Sequence, residues 1–91
     1  MFVKVKFFAT TRQVFGTKER ELALAEGATV RTLFGLLADT PERKAALLAG
    51  SSLPPHLVVL LNGETLSSRG GLEAELREGD VVAVFPMMGG G

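Results

Sequence analysis

Residues 2–8 alternate, with Val3, Val5 and Phe7 on one side and Phe2, Lys4, Lys6 and Phe8 on the other. Period two with β-branched and aromatic side chains predicts a strand. Thr10 to Phe15 predicts one or two helical turns ended by Gly16. Lys18 to Ala25 alternates again, Leu22 and Leu24 against Glu19, Glu21 and Ala23, and predicts a second strand hairpinned to the first. Glu26-Gly27 reads as a turn, and Thr29 as an N-cap whose hydroxyl accepts from a free amide of the next turn. Val30, Leu33, Phe34 and Leu37 then fall at i, i+3, i+4, i+7, the stripe of an amphipathic helix stopping near Asp39. Thr40-Pro41-Glu42 starts another: a capping hydroxyl, proline at the first helical position and an acid near the positive end. Gly50 suits its stop. Ser51 to His56 is a loop with two prolines.

Leu57 to Leu61 is an unbroken apolar run, held to strand length by Pro54-Pro55 before it and Asn62-Gly63 after it. Asn-Gly predicts a tight hairpin, because both residues tolerate positive φ, so Glu64 to Leu66 is a short return strand. Gly70-Gly71 is loop, Leu72 to Leu76 a short helical turn, and Glu78-Gly79-Asp80 a turn. Val81 to Phe85 is the last strand, apolar on both faces. The order ββα, helical linker, ββ, β predicts an α+β sandwich with one main helix across a mixed sheet. The ubiquitin-like β-grasp has that order, with its first and last strands central and parallel. A doubly apolar last strand agrees, since central parallel strands read as continuous hydrophobic runs. The expected division is a body over residues 1–86 and a flexible glycine tail over 87–91.

One helix covers one face of a sheet. The opposite face would carry Phe8 and one side of Val81 to Phe85, joined by Leu66 if that residue lies on the return strand. Such an apolar patch near the exit of the tail marks a partner site. The competing expectation is that the second helix and residues 67–76 fold over it.

Ninety-one residues with 46% hydrophobic content suit one small domain. The absence of cysteine removes disulfides, iron–sulfur ligation, cysteine-based zinc sites and thiol nucleophiles. Ten acidic residues balance ten basic ones, without the basic stretch of a nucleic-acid binder. No apolar run approaches a membrane span, and Met1-Phe2-Val3-Lys4 alternates too early for a signal peptide, so a cytoplasmic location is expected.

His56 has no acid at ligand spacing, which leaves no metal site. The loop serines have no histidine base in their segments. Gly89 to Gly91 lacks the lysine and following helix of a phosphate loop. No catalytic machinery is visible, and the most usable group is the C-terminus. The chain ends Pro86-Met87-Met88-Gly89-Gly90-Gly91. An α-carboxyl titrates at roughly 3.3–3.7, so it is ionised at neutral pH. A carboxylate without a neighbouring Cβ fits a narrow channel, can attack a nucleotide phosphate, and can become an acyl-adenylate. The bland alternative is a frayed glycine-rich chain end. Met87 and Met88 suit adaptable partner contacts. Ordering Met87 to Gly91 would cost on the order of 5–10 kcal/mol at roughly 1–2 kcal/mol per residue. Pro86 limits that by fixing one φ.

Three stretches resemble the MoaD/ThiS family of ubiquitin-like sulfur carriers. They are Phe7-Phe8-Ala9 with Arg12 and Gly16, Leu60-Leu61-Asn62-Gly63, and Gly79 to Pro86 ending in Gly90-Gly91. The helical insert from Pro41 to Pro55 is similar to the MoaD branch, the small subunits of molybdopterin synthase, and its archaeal relatives. Two departures are Met87 where a second proline is frequent, and a third terminal glycine. The resemblance implies that an E1-like enzyme of MoeB or ThiF type adenylates Gly91 with ATP and magnesium. A sulfur donor would convert it to a thiocarboxylate. A MoaE-like large subunit would then take in the tail, and the sulfur would build the dithiolene of molybdopterin. Phe8, Leu66, Phe85, Pro86, Met87, Met88, Gly89 and Gly90 are the expected partner-binding residues. The chain itself would bind no cofactor. The same resemblance admits a modifier of the small archaeal type joined to lysines, or a carrier for thiamine, cysteine or tRNA thiolation. An inert β-grasp interaction module is the alternative from another class.

Overall fold

The computed structural model describes residues 1–87. Strand β1 spans Phe2–Phe7, and its alternation fully buries Val3, Val5 and Phe7. The short helix α1, Thr10–Phe15, ends at Gly16, whose φ of 70° is the left-handed stop that glycine adopts freely. Strand β2, Glu19–Ala23, pairs antiparallel with β1. Its regular span is shorter than the alternation suggested, but backbone pairing with β1 continues through the buried Leu24. The Leu24 N–H donates to the Met1 carbonyl at 2.7 Å, and the Met1 ammonium donates to the Leu24 carbonyl at 2.8 Å.

Helix α2, Val30–Leu37, buries the expected stripe of Val30, Leu33, Phe34 and Leu37. Its start is doubly capped. Thr29 Oγ1 accepts from the Thr32 N–H, and Thr32 Oγ1 accepts from the Thr29 N–H, both at 3.3 Å. Helix α3, Pro41–Leu47, begins with Thr40 accepting from the Arg43 N–H at 3.1 Å. It ends before Gly50. Leu48 is already extended, and Gly50, at φ 66°, instead turns the chain between the bridged residues Ala49 and Ser52. Arg43 ties α3 to its neighbours: it donates to Asp39 at 2.9 Å and to the Val14 carbonyl at 3.4 Å, and lies over the Phe15 ring. The Arg43 hydrogen bond holds the Asp39 carboxyl below its ordinary value.

Strands β3, Leu57–Leu61, and β4, Glu64–Thr65, form the expected hairpin, with Asn62 at φ 51° and Gly63 at φ 84°. Asn62 also fastens this turn to the start of the last strand. Its Nδ2 donates to Asp80 at 2.9 Å, and its Oδ1 accepts the Val81 N–H at 2.9 Å. Strand β5, Val81–Pro86, lies between β1 and β3, parallel to the first and antiparallel to the second. The sheet order is β2-β1-β5-β3-β4. The inner faces of β1, β3 and β5 join the stripe of α2 in one core. This is the ubiquitin-like β-grasp.

The sequence placed Leu66 on the return strand, facing outward. That placement is corrected: β4 stops at Thr65, and Leu66 opens a 3-10 turn over Leu66–Arg69 with 1% of its surface exposed. An apolar side chain on an edge strand gains more by turning inward, at roughly 1.5–3 kcal/mol for full burial. The expected helical turn over Leu72–Leu76 is only a 3-10 turn at Gly71–Glu73. The rest is laced to the start of α2, with the Val30 N–H on the Ala74 carbonyl and the Leu76 N–H on the Ala28 carbonyl. Leu66, Leu72, Ala74 and Leu76 thereby belong to the helix-side core. Among the described residues no helix is long and apolar enough to cross a membrane.

Candidate functional site

The outer face of the sheet follows from the register. Lys4 stands beside Val81, and Lys6 beside Ala83, which faces Leu60 across β3. One step further Phe85 faces Val58, and Phe8 stacks on Phe85 with centroids 4.3 Å apart and planes 10° from parallel. Phe8, Val58, Leu60, Val81, Ala83 and Phe85 are all half-buried, whereas their inward neighbours are buried. The residues between Leu66 and Leu76 do not cover this face, since their apolar side chains join the opposite core. An apolar surface therefore runs to the end of β5, bordered by Lys4, Lys6, Glu19 and Glu21 of β1 and β2.

Local chemistry fixes the Phe8 ring. Its N–H donates to the buried Thr11 Oγ1 at 3.0 Å, and the Thr11 hydroxyl donates to the Phe8 carbonyl at 2.6 Å. The next residue, Ala9, holds φ 54° and ψ −128°. Such a conformation costs a residue with a Cβ on the order of 1–3 kcal/mol, and strain of this kind gathers at functional sites. It turns the chain from β1 into α1 directly after the stacked ring. Arg12, one helical turn on, lies 5.9 Å from the Phe8 ring centroid, and its Nε donates to the Phe7 carbonyl at 3.3 Å.

The exit of the tail is equally defined. Pro86 pairs opposite Leu57, and the Met87 N–H donates to the His56 carbonyl at 2.6 Å. Successive N–H groups of a strand point to opposite sides, so the nitrogen of Pro86 faces past the end of β1. No ladder donor is needed there, which is where a strand tolerates proline. Met87 is 58% exposed. Phe8, Phe85, Pro86 and Met87 thus come together as the sequence suggested, and Leu66 does not. Met88, Gly89, Gly90 and Gly91 lie outside the described residues. His56 serves through its carbonyl, and among the described residues no group of three His, Cys, Asp or Glu could hold a metal ion.

Val58 and Leu60 belong to the surface but were not singled out from sequence. The unbroken run Leu57–Leu61 carried the signal, because apolar residues at every position leave both faces apolar. Arg12 was also missed as a site residue; its spacing of four from Phe8 was the available clue.

The ThiS family profile matches residues 5–91. The chain belongs to the ThiS family. Its members are ubiquitin-like sulfur carriers and modifiers. Small archaeal modifier protein 3 of Haloferax volcanii is 35% identical to this chain over 92 residues, covering all of both proteins. The molybdopterin synthase sulfur carrier subunit of Chlamydomonas reinhardtii is 32% identical over 91 residues, again with full coverage of both. Among solved structures, the crystal structure of SAMP1 from Haloferax volcanii superposes with a TM-score of 0.82 at 27% identity, with all of each chain covered. The ThiS profile and both sequence relatives extend through the glycine tail as well as the body.

Proposed function

We propose that this chain is a cytoplasmic sulfur carrier that acts as the small subunit of a molybdopterin synthase. The observation that carries the proposal is the continuous apolar surface of Phe8, Val58, Phe85 and Pro86, which leads into a tail ending in three glycines. An E1-like enzyme of MoeB or ThiF type binds this surface and brings the Gly91 carboxylate to ATP and magnesium. One carboxylate oxygen attacks the α-phosphorus and pyrophosphate leaves. Hydrosulfide delivered by a sulfur donor then attacks the acyl carbon, the bond to AMP breaks, and a thiocarboxylate remains on Gly91. A MoaE-like large subunit engages the same surface and receives the tail in its own active site. The chain supplies the acyl group and the docking surface, and its partners supply the catalytic groups.

Energetics favour this division. Burying a few hundred Å2 of apolar surface contributes on the order of 5–10 kcal/mol at about 25 cal/mol per Å2. That is the size needed to offset ordering of a short glycine-rich segment at roughly 1–2 kcal/mol per residue. The Met87–His56 hydrogen bond lightens the requirement, because folding already fixes the first tail residue.

The test combines the thiocarboxylated chain with a molybdopterin synthase large subunit and the cyclic pyranopterin precursor. The expected result is formation of the dithiolene with return of Gly91 to a carboxylate. Retention of sulfur on Gly91 would contradict the molybdopterin role. Conjugates on other proteins that vanish when Gly91 is removed would instead support a lysine modifier, the reading favoured by the relative from Haloferax volcanii.

A further inference from the structure

Beside the Phe8–Phe85 stack, the end of β1 and the loop entering β2 enclose an open cleft of about 560 Å3. Phe8 forms part of its wall, so it is continuous with the apolar docking surface. Lys6, Arg12 and Lys18 also line it, with Glu19 the only carboxylate. Glu19 is engaged elsewhere, 3.9 Å from Lys4. Lys6, Arg12 and Lys18 form no ion pair among the described residues. The chain as a whole carries no net charge, so this concentration of cations is local.

Arg12 is the best placed of the three. Its Nε bond to the Phe7 carbonyl and its position over the Phe8 ring hold the guanidinium plane. Its two terminal nitrogens donate to nothing among the described residues. A planar guanidinium held in this way presents a fork that matches a carboxylate, and less of its side-chain entropy remains to be lost on binding.

We propose that this cleft receives an acidic segment of the adenylating enzyme, with an Asp or Glu carboxylate on Arg12 and further acidic residues facing Lys6 and Lys18. The inference rests on the carrier reading and adds the charge of the partner to it. Apolar contact on the sheet then supplies affinity, while the cleft steers the encounter and fixes orientation. Charges at the rim of an interface act mainly on the association rate and its salt dependence.

The test measures association rates between the adenylating enzyme and the full-length chain at low and high salt. The triple variant Lys6→Glu, Arg12→Glu, Lys18→Glu should associate about 10–100-fold more slowly at low salt, within the roughly 10–1000-fold range that electrostatic steering spans. Its rate should also lose the decline with salt expected of the native chain. The milder pair Lys6→Gln, Lys18→Gln gives an intermediate rate and serves if the triple variant does not fold. Lys44→Glu, on α3 and outside the lining of the cleft, is the control and should stay within about twofold. A folded triple variant with native rate and salt slope overturns the proposal. Binding of inorganic phosphate in the cleft that leaves the enzyme's association unchanged at equal ionic strength also overturns it, assigning the cleft to a small anion. Both results leave the carrier reading intact as long as the native chain is thiocarboxylated. A native chain that is never adenylated overturns the carrier reading, and this assignment with it.

Discussion

A chain whose Gly91 carboxylate is capped as a primary amide is expected to form no acyl-adenylate and to transfer no sulfur. The first step needs an anionic oxygen to attack phosphorus, and a free α-carboxyl is ionised at neutral pH while an amide is neutral and poorly nucleophilic. The loss should exceed about a thousandfold, equivalent to roughly 4 kcal/mol of activation free energy. Folding should be untouched, because the last described backbone bond of the body joins Met87 to His56, before the glycines begin. Deleting Gly90 and Gly91 should do the same for a different reason. The new terminus, Gly89, is a free carboxylate, yet it falls short by about 7 Å at 3.3–3.6 Å per extended residue. ATP–pyrophosphate exchange catalysed by the adenylating enzyme measures both variants. Exchange at the native rate with the amide would remove the terminus from the mechanism.

Phe85→Asp is expected to weaken binding to the adenylating enzyme and to the large subunit by about 30- to 1000-fold, or roughly 2–4 kcal/mol, the range of a central aromatic hot spot. Phe85 lies on the outer face at the end of β5, between Phe8, on which it stacks, and Val58 opposite. A carboxylate there would have to be desolvated against apolar surface on docking. The substitution also removes an aromatic pair contributing about 0.5–1.5 kcal/mol to the fold. Urea denaturation therefore accompanies the calorimetric titration, and Val58→Asp, which leaves the ring pair in place, serves as a second variant. A folded variant of either kind that binds both partners with native affinity would show that this face is not the docking surface.

Much of this architecture was legible in sequence, for physical reasons that differ between elements. The stripe Val30, Leu33, Phe34, Leu37 has one helical solution, and Thr29 marks its start, so α2 appears where expected. Asn62-Gly63 admits only a turn that tolerates positive φ. The doubly apolar Val81–Phe85 pointed to the central parallel strand. Leu66 was misread because local alternation does not reveal when an edge strand ends. Only the fold shows that the core beneath β3 has room for that side chain. Gly50 looked like a helix stop, but the helix ended earlier because Leu48 takes extended backbone. Of the outer face, the positions of Phe8, Phe85, Pro86 and Met87 were legible, because β1 and β5 pair side by side ahead of the tail. Arg12 and the basic cleft were not, since they depend on how α1 folds back against β1, and a strained Ala9 leaves no trace in composition.

The most direct measurement is the intact mass of the chain after incubation with its adenylating enzyme, ATP, magnesium and a sulfur donor, with fragmentation to locate the change. The expected product carries one sulfur in place of one oxygen, confined to Gly91. A chain recovered unchanged from a reaction in which the enzyme is active, or altered anywhere but at Gly91, would contradict delivery of sulfur from this terminus.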